Sequence, residues 1–317
     1  MELFCNTSNG MTRWLVKRGA LTSPFVLIDV GVQDGISARW HALGDHLTVY
    51  GFDLLKEAIA PLTNVHDPRK HYFAIGLADR DGELEIGVPA NRYETQLFGD
   101  GAGERRLIQV RRLDTLLSEG LVQPADFVKL DCEGYEPLVL QGAANFLSRS
   151  NLVGADTESN FNLSPDVPDT HFSECCNPFV RQRLMVFDIA FNRLSMVNSP
   201  ALTGRSILRP ATLNLLFGRN LVQERDSGPS YIYRSAESPV SPQTVLKSAI
   251  VFEAYGLLDW ACYVLKGFAD QIGSAIDIDA AIAQLAPPAE PASPTPQNQG
   301  LITQLRTMKR SLMRKIR

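Results

Sequence analysis

FVLIDVGVQDG, residues 25–35, is the stretch that decides the fold of this chain. Its first six residues form a largely apolar run, which is typical of a strand buried on both faces of a sheet. Gly31 and Gly35 follow, and glycine lets a backbone turn tightly and approach a ligand closely. The amides of such a turn and the start of a helix can donate hydrogen bonds to an anionic group. The stretch therefore predicts a strand, a glycine turn and a helix over 35–43.

A second unit of the same kind follows. LTVYGF, residues 47–52, predicts a strand, and 54–62 predicts a helix. Two strand–helix units in succession indicate a parallel sheet. Asp53 ends the second strand, about twenty residues after the glycine turn, where nucleoside-binding sheets place an acid that accepts hydrogen bonds from ribose hydroxyls. Asp29, Gly31, Gly35 and Asp53 together indicate a nucleoside site, and the alternative is that Asp53 caps the following helix.

A third unit carries a concentration of acids. ADFVKL, residues 125–130, predicts a buried strand, and a helix is expected over 135–147. Asp131 comes at the carboxyl end of this strand, where open α/β sheets bind their ligands. Glu133 and Glu136 follow in the same turn. These acids are candidates for contact with a cofactor or substrate, although Glu133 or Glu136 could instead interact with the positive end of the helix.

Weaker patterns cover the remaining chain. Asp81-Gly82 separates two strand-like runs and predicts a hairpin or a strand-loop-strand. A further strand is expected over 152–156, a helical stretch over 179–183, and strands over 184–191 and 230–234. A main domain is predicted over 1–236, with a cofactor-binding core at 25–160 and a substrate-side elaboration at 157–235. Three segments follow it: a helical extension over 237–285, a Pro-rich linker over 286–300 and a basic amphipathic tail over 301–317.

Composition excludes some classes of protein. The 317 residues carry a net charge of −4 and are 44% hydrophobic, so no chain-wide basic field favours a nucleic-acid partner. The five cysteines form no C-x-x-C pair, and residues 1–10 lack the pattern of a secretory signal, so we expect a cytoplasmic protein. The apolar stretch 248–269 contains Glu253, Asp259 and Lys266, which favours packed helices over a membrane span.

At the acidic segments the chain resembles the FkbM family of methyltransferases. The family's Asp-x-Gly-Ala-Asn-x-Gly is similar to residues 29–35, and its Phe-Glu-Pro is similar to 52–54. Its Leu-Asp-x-Leu resembles 113–116, and its Asp-x-Glu-Gly-x-Glu-x-x-Val-Leu-x-Gly-Ala is matched almost completely by 131–143. Departures are Val32-Gln33-Asp34 in the first turn and Asp53-Leu54 for Glu-Pro.

The resemblance implies a Rossmann-like class I methyltransferase, an α/β fold with a mostly parallel sheet flanked by helices. It also implies S-adenosylmethionine as cofactor and transfer of a methyl group to a hydroxyl of a sugar, glycan or natural product. We expect Asp29, Gly31, Gly35, Asp53 and Asp131 to bind the cofactor. Asp131 or Glu133 is the expected base, with Glu158 and His171 as further candidates, and no metal is expected.

Two other functions remain open at this point. A nucleotide-dependent oxidoreductase would use Gly31 and Asp53 equally well, but the first turn lacks G-x-G-x-x-G. A non-catalytic scaffold that retains the fold is the other, with the basic tail contacting a membrane surface or a protein. The expected partner is a small-molecule or glycan acceptor, and the sequence leaves the oligomeric state open.

Overall fold

A computed structural model describes residues 9–33, 35–64, 67–88, 104–160, 171–194, 209–227 and 240–285. Several sequence-based predictions lie outside these residues: the strand over 230–234, the linker over 286–300 and the tail over 301–317. Asp34, one of the departures in the first turn, also lies outside them. None of the helices described has the length and apolar character that a membrane crossing requires.

Ten strands are described. They are β1 Phe25–Val30, β2 Leu47–Phe52, β3 Lys70–Phe73, β4 Gly76–Leu77, β5 Gly82–Val88, β6 Glu104–Arg111, β7 Phe127–Leu130, β8 Gly154–Asn160, β9 Leu184–Leu194 and β10 Arg209–Arg219. Seven of them form the main sheet in the order β3-β2-β1-β7-β8-β10-β9. The first five are parallel, and β10 runs antiparallel to both of its neighbours. The strand order on both sides of β1 is that of a Rossmann-like sheet, which confirms the predicted fold class.

Helices cover both faces of this sheet. They are α1 Gly10–Lys17, α2 Lys56–Thr63, α3 Leu113–Ser118, α4 Glu136–Gln141, α5 Ala144–Arg149, α6 His171–Arg181, α7 Leu221–Ser227, α8 Pro242–Ala254, α9 Leu258–Gly267, α10 Ala269–Ile272 and α11 Ile278–Ala283. The alternation of side chains along β1 divides the core into two halves. Phe25 and Leu27 pack with α1 and α8, whereas Val26, Ile28 and Val30 pack with α3, α4, α5 and α6.

Two predicted helices differ from the helices observed. The helix expected over 35–43 is a 3₁₀ helix, Ala38–His46, which begins after Ser37 and has non-helical backbone at Gly44. The helix expected over 135–147 breaks into α4 and α5 around Gly142. A Cβ atom at Gly142 would lie 1.9 Å from the carbonyl oxygen of Ala78, so only glycine fits this crossing point.

A second, smaller sheet lies outside the main one, in the order β4-β6-β5. Because β4 and β5 both pair with β6, the predicted hairpin at Asp81-Gly82 is wrong, and the alternative strand-loop-strand is what forms. Asp81 instead accepts hydrogen bonds from the Arg112 amide at 3.0 Å and the Thr115 hydroxyl at 2.7 Å. These contacts tie the loop before β5 to the start of α3.

Helix α8 is bonded to the sheet and to α1 through buried charges. The Lys247 Nζ atom lies 2.8 Å from Asp126 Oδ2 and donates to the Pro24 carbonyl at 2.6 Å. The carboxylate of Glu253 accepts the amides of Met11 and Thr12 at 2.7 and 2.8 Å. Since the first amides of a helix have no partner within it, Glu253 supplies the cap that α1 lacks. The C-terminal helices are thereby fixed onto the strands that position the site.

Replacing Lys247 by Met should lower the free energy of unfolding by about 3–5 kcal/mol, because the Asp126 carboxylate would stay buried without its ammonium partner. Urea denaturation followed by circular dichroism measures the change. Lys70→Met is the control, since Lys70 pairs with Asp67 at 3.7 Å on the surface and should change stability by less than about 1 kcal/mol. Equal effects of the two substitutions would show that α8 is not held by this ion pair.

Candidate active site

Three parallel strands deliver the predicted site residues to one edge of the sheet. The last paired positions are Val30 with Phe52 and Val30 with Leu130. The next residues along the three strands are Gly31, Asp53 and Asp131, so they leave the sheet side by side. The register of β1, β2 and β7 therefore brings together three residues that are far apart in sequence.

Gly31 allows the turn after β1 to touch the turn after β7. Its φ is 82°, and a Cβ atom there would lie 1.9 Å from the Asp131 carbonyl oxygen. The amides of Gly31 and Val32 both donate to the Phe52 carbonyl, at 2.9 and 3.2 Å, and the Gly35 amide donates to Val32 at 2.8 Å. These three amides already have acceptors within the protein, so they hold the turn in its conformation.

An open cavity of about 900 Å³, counting the solvent at its mouth, lies against this edge. Its polar lining includes Gly31, Asp53, Asp131 and Glu133. Its apolar walls come from both sheets: Val30, Phe52, Leu54, Leu55, Ile75, Leu77, Leu84, Ile108, Val110 and Tyr135. Asp29 and Gly35 are not part of this lining. Sequence reasoning missed the walls from β5 and β6, since nothing local in these strands indicates that they reach the main sheet.

Asp53 is not the cap of α2. Its Oδ1 accepts the Leu55 amide at 2.8 Å, which closes a local turn, and Leu55 itself is the residue that precedes the helix. Burial raises the pKa of Asp53, while the Leu55 amide and the charge of Lys129 oppose that shift. Asp53 is therefore a half-buried acid whose position is set by its own turn and which borders the cavity.

Lys129 lies between acids in the middle of the sheet. It is paired in register with Asp29 on β1 and with Asp156 on β8. Its Nζ lies 3.5 Å from Asp29 Oδ1 and 3.3 Å from Asp131 Oδ2, and donates to the Gly31 carbonyl at 3.2 Å. Burial alone would lower the pKa of Lys129, but the surrounding aspartates raise it above its usual value. The lysine stays charged and holds the ends of β1 and β7 together.

Asp29 supports the site from beneath. It is almost fully buried, and burial raises its pKa while Lys129 lowers it. Sequence reasoning missed the role of Lys129. The available signal was a single lysine inside the apolar run FVKL, at a position where the side chain faces the core.

The oxygens of Asp131, Glu133 and Glu158 lie within 4.8 Å of one another at the same edge. Glu133 has a left-handed backbone, with φ of 57°, and Gly134 follows with φ of 97°. Burial first, and the charges of the nearby acids after it, raise the pKa of Glu158 to about 7, while a hydrogen bond from Thr212 opposes the shift. A carboxylate with this pKa can take up a proton near neutral pH.

His171 does not join these three acids. Its Nε2 lies 3.3 Å from the Gly134 carbonyl oxygen, and its Nδ1 lies 3.2 Å from Ser159 Oγ. Burial lowers the pKa of His171, although the Gly134 carbonyl and Glu174 oppose that shift. Cys132 has a pKa raised well above its ordinary value, first by burial and then by Glu136, so its thiol stays protonated.

Residues 29–172 match the Methyltransferase FkbM domain family. No curated protein matches this chain.

Solved structures of methyltransferases resemble the chain at low identity. An O-methyltransferase from Bacillus cereus in complex with SAH is 10% identical, with 67% of this chain and 80% of that chain covered and a TM-score of 0.34. The precorrin-6y C5,15-methyltransferase from Geobacter metallireducens GS-15 is 11% identical, with 67% and 88% covered and a TM-score of 0.31. TrmK from M. capricolum in complex with SAH is 10% identical, with 87% and 94% covered and a TM-score of 0.30.

These values are too low to transfer a substrate or a site residue. The assignment depends instead on the family match, which spans β1 to the start of α6, and on the strand order of the main sheet. Residues 29–172 thus match the methyltransferase domain of the FkbM family, and the chain has the Rossmann-like class I methyltransferase fold.

Proposed function

We propose that this protein is an S-adenosylmethionine-dependent O-methyltransferase. The observation that carries the proposal is the convergence of Gly31, Asp53 and Asp131 on one cavity, with Glu133 and Glu158 at its edge. The FkbM resemblance adds the acceptor class, a hydroxyl group of a sugar, glycan or natural product. A small-molecule or glycan acceptor is therefore the expected partner.

The residues present fit this cofactor. Asp53 is a short acid that can accept hydrogen bonds from two neighbouring ribose hydroxyls. The apolar walls from β4, β5 and β6 suit a flat purine ring, and Tyr135 adds an aromatic side chain to them. Asp131 and Glu133 add acidic side chains to the lining of the cavity, which suits the positively charged sulfonium. When bound, the cofactor supplies a methyl group that is already activated for transfer.

The work left to the protein is to position the acceptor hydroxyl and remove its proton. Glu158 suits the second task, because its pKa of about 7 leaves it partly ionised at neutral pH. Asp131 and Glu133 lie close enough to Glu158 to orient the hydroxyl or share the proton. Glu158 is thus the base in this proposal. Asp131 and Glu133, which the sequence also indicated, assist it.

Asp53→Asn should weaken the binding of S-adenosylhomocysteine by about 10- to 100-fold, because a charged double acceptor for the ribose is lost. The asparagine oxygen can still accept the Leu55 amide, so the local turn should remain. Isothermal titration calorimetry measures the dissociation constant. Asp45→Asn is the matched control, since the Asp45 side chain is 88% exposed and lies away from the cavity. Unchanged affinity in Asp53→Asn would show that Asp53 does not bind the ribose.

Gly31→Ala should abolish detectable S-adenosylhomocysteine binding, because the new Cβ atom cannot fit against the Asp131 carbonyl oxygen. Gly120→Ala is a close control. Gly120 also has a left-handed backbone, with φ of 73°, but its Cβ position meets no atom within 4 Å. Gly120→Ala should lose about 1–2 kcal/mol from backbone strain, measured by thermal unfolding, and Gly31→Ala should lose more, because its backbone clash adds to the same strain. If Gly31→Ala bound the ligand as Gly120→Ala does, the contact between the two turns would not be needed for the site.

The rate of methyl transfer should rise with pH and level off above about 7, because Glu158 accepts a proton only when it is ionised. Glu158→Gln should lower kcat by roughly 100-fold or more and remove this pH dependence. The release of S-adenosylhomocysteine, with the best hydroxyl acceptor from a sugar and glycan panel, provides the readout. A Glu158→Gln enzyme with the wild-type pH profile would assign the base to another group.

A further inference from the structure

His171 lies next to the three acids at the edge of the cavity without joining them. It is the first residue of α6, and 19% of its side chain is exposed. Its two ring nitrogens contact two different elements, the turn after β7 and strand β8. The residues contacted, Gly134 and Ser159, are the chain neighbours of Glu133 and Glu158. His171 therefore links the segments that carry two of the three acids.

The two contacts of His171 fit a neutral imidazole. A carbonyl oxygen only accepts hydrogen bonds, so Nε2, 3.3 Å from the Gly134 carbonyl oxygen, carries the ring proton. Nδ1 then accepts the hydroxyl of Ser159 at 3.2 Å. Burial lowers the pKa of His171, which favours the neutral form, and only that form can donate from one nitrogen while it accepts at the other. Because both nitrogens are used in these contacts, His171 is a poor candidate for the base.

The turn that carries Glu133 needs support from outside. Glu133 has a left-handed backbone, with φ of 57°, and this conformation is costly for a residue with a side chain unless its surroundings hold it. The Cys132 amide donates to Glu136 Oε1 at 2.8 Å, and the Gly134 carbonyl accepts from His171. The first contact stays within five residues of the chain, whereas the second connects the turn to α6.

The other end of the bridge is anchored in the main sheet. Ser159 is fully buried and is paired in register with Leu213 on β10. Cys175 Sγ also lies 3.6 Å from His171 Nδ1, but Cys175 belongs to the same helix as His171, so its thiol cannot replace the link to β8. Because Glu158 precedes Ser159 on the same paired strand, the link also fixes α6 relative to Glu158.

The separation of Glu133 and Glu158 affects their chemistry. Their carboxylate oxygens lie within 4.8 Å of each other. The charges of Asp131, Glu136 and Glu133 all act on Glu158, and Thr212 donates a hydrogen bond to it. Like charges at short distance favour the protonated form of a carboxyl group. If the turn moved away from β8, Glu158 would therefore give up its proton more readily.

We propose that His171 is a positioning residue, which sets the spacing of Glu133 and Glu158 by bridging Gly134 and Ser159. The consequence for methyl transfer rests on the proposed function, whereas the bridge itself can be tested without it. Sequence reasoning indicated His171 only as a further candidate for the base, because the packing of α6 is what brings it to its two partners.

The ionisation of Glu158 tests the bridge directly. Protein labelled with ¹³C at the glutamate carboxyl carbons is titrated by NMR, and the spectrum of Glu158→Gln identifies the signal. In His171→Ala the pKa of Glu158 should fall by about 0.5–1, because the turn with Glu133 loses its hold. His171→Gln should restore the wild-type titration, since its amide offers one donor and one acceptor. A role in folding alone would lower the melting temperature without changing this titration.

Kinetics test the consequence for the reaction. His171→Ala should lower kcat by about 10-fold with a hydroxyl acceptor, because the acids that handle the proton are misplaced. The dissociation constant of S-adenosylhomocysteine should stay within about 2-fold, since Gly31 and Asp53 follow other strands. His41→Ala is the matched control, because His41 is an exposed histidine in the Ala38–His46 helix.

Should His171→Ala fail to fold, Ser159→Ala removes the other end of the bridge with little loss of volume and should lower the pKa of Glu158 in the same way. An unchanged titration of Glu158 in these variants would overturn the proposal, and so would a loss that His171→Gln does not restore. Wild-type protein that bound no S-adenosylhomocysteine would instead contradict the proposed function, and the titration of Glu158 would still decide the role of His171.

Discussion

One lysine inside the sheet holds the candidate site together. Lys129 contacts Asp29, Asp131 and the Gly31 carbonyl, so a single ammonium links the end of β1 to the end of β7. Without it, two buried or half-buried aspartates would face each other across adjacent strands, and their repulsion would be strong where water is scarce. The ammonium of Lys129 offsets the charge of these acids and fixes where the two turns leave the sheet.

The cavity follows from that arrangement. Because Gly31 lies against the Asp131 carbonyl, the turns after β1 and β7 occupy little space, and room remains between them, Asp53 and the small sheet. The small sheet supplies Leu84, Ile108 and Val110, which close the apolar side. The C-terminal helices do not line the cavity. Helix α8 packs on the other face of the same strands, and its Glu253 binds the first amides of α1.

Local patterns allowed part of this to be predicted from sequence. The strands Phe25–Val30 and Leu47–Phe52 and the acids that follow strands β2 and β7 were predicted because their signals lie within a few residues. Strand β10 was not predicted, and the helix predicted over 35–43 is a 3₁₀ helix that begins only at Ala38. Glu158 was a candidate base from its place in the sequence, but Lys129 and the walls from β5 and β6 could not be placed, because their neighbours are set by strand order and sheet packing. The break at Gly142 depends on a carbonyl of Ala78, more than sixty residues earlier.

The central claim is that three strand ends and the small sheet form one cofactor site. Amide hydrogen exchange measured by mass spectrometry, with and without saturating S-adenosylhomocysteine, tests it most directly. The account predicts added protection in three separate segments, around Gly31, Asp53 and Asp131, together with β5 and β6, and none in α9 or α11. Protection confined to one segment, or found only among the C-terminal helices, would contradict the account.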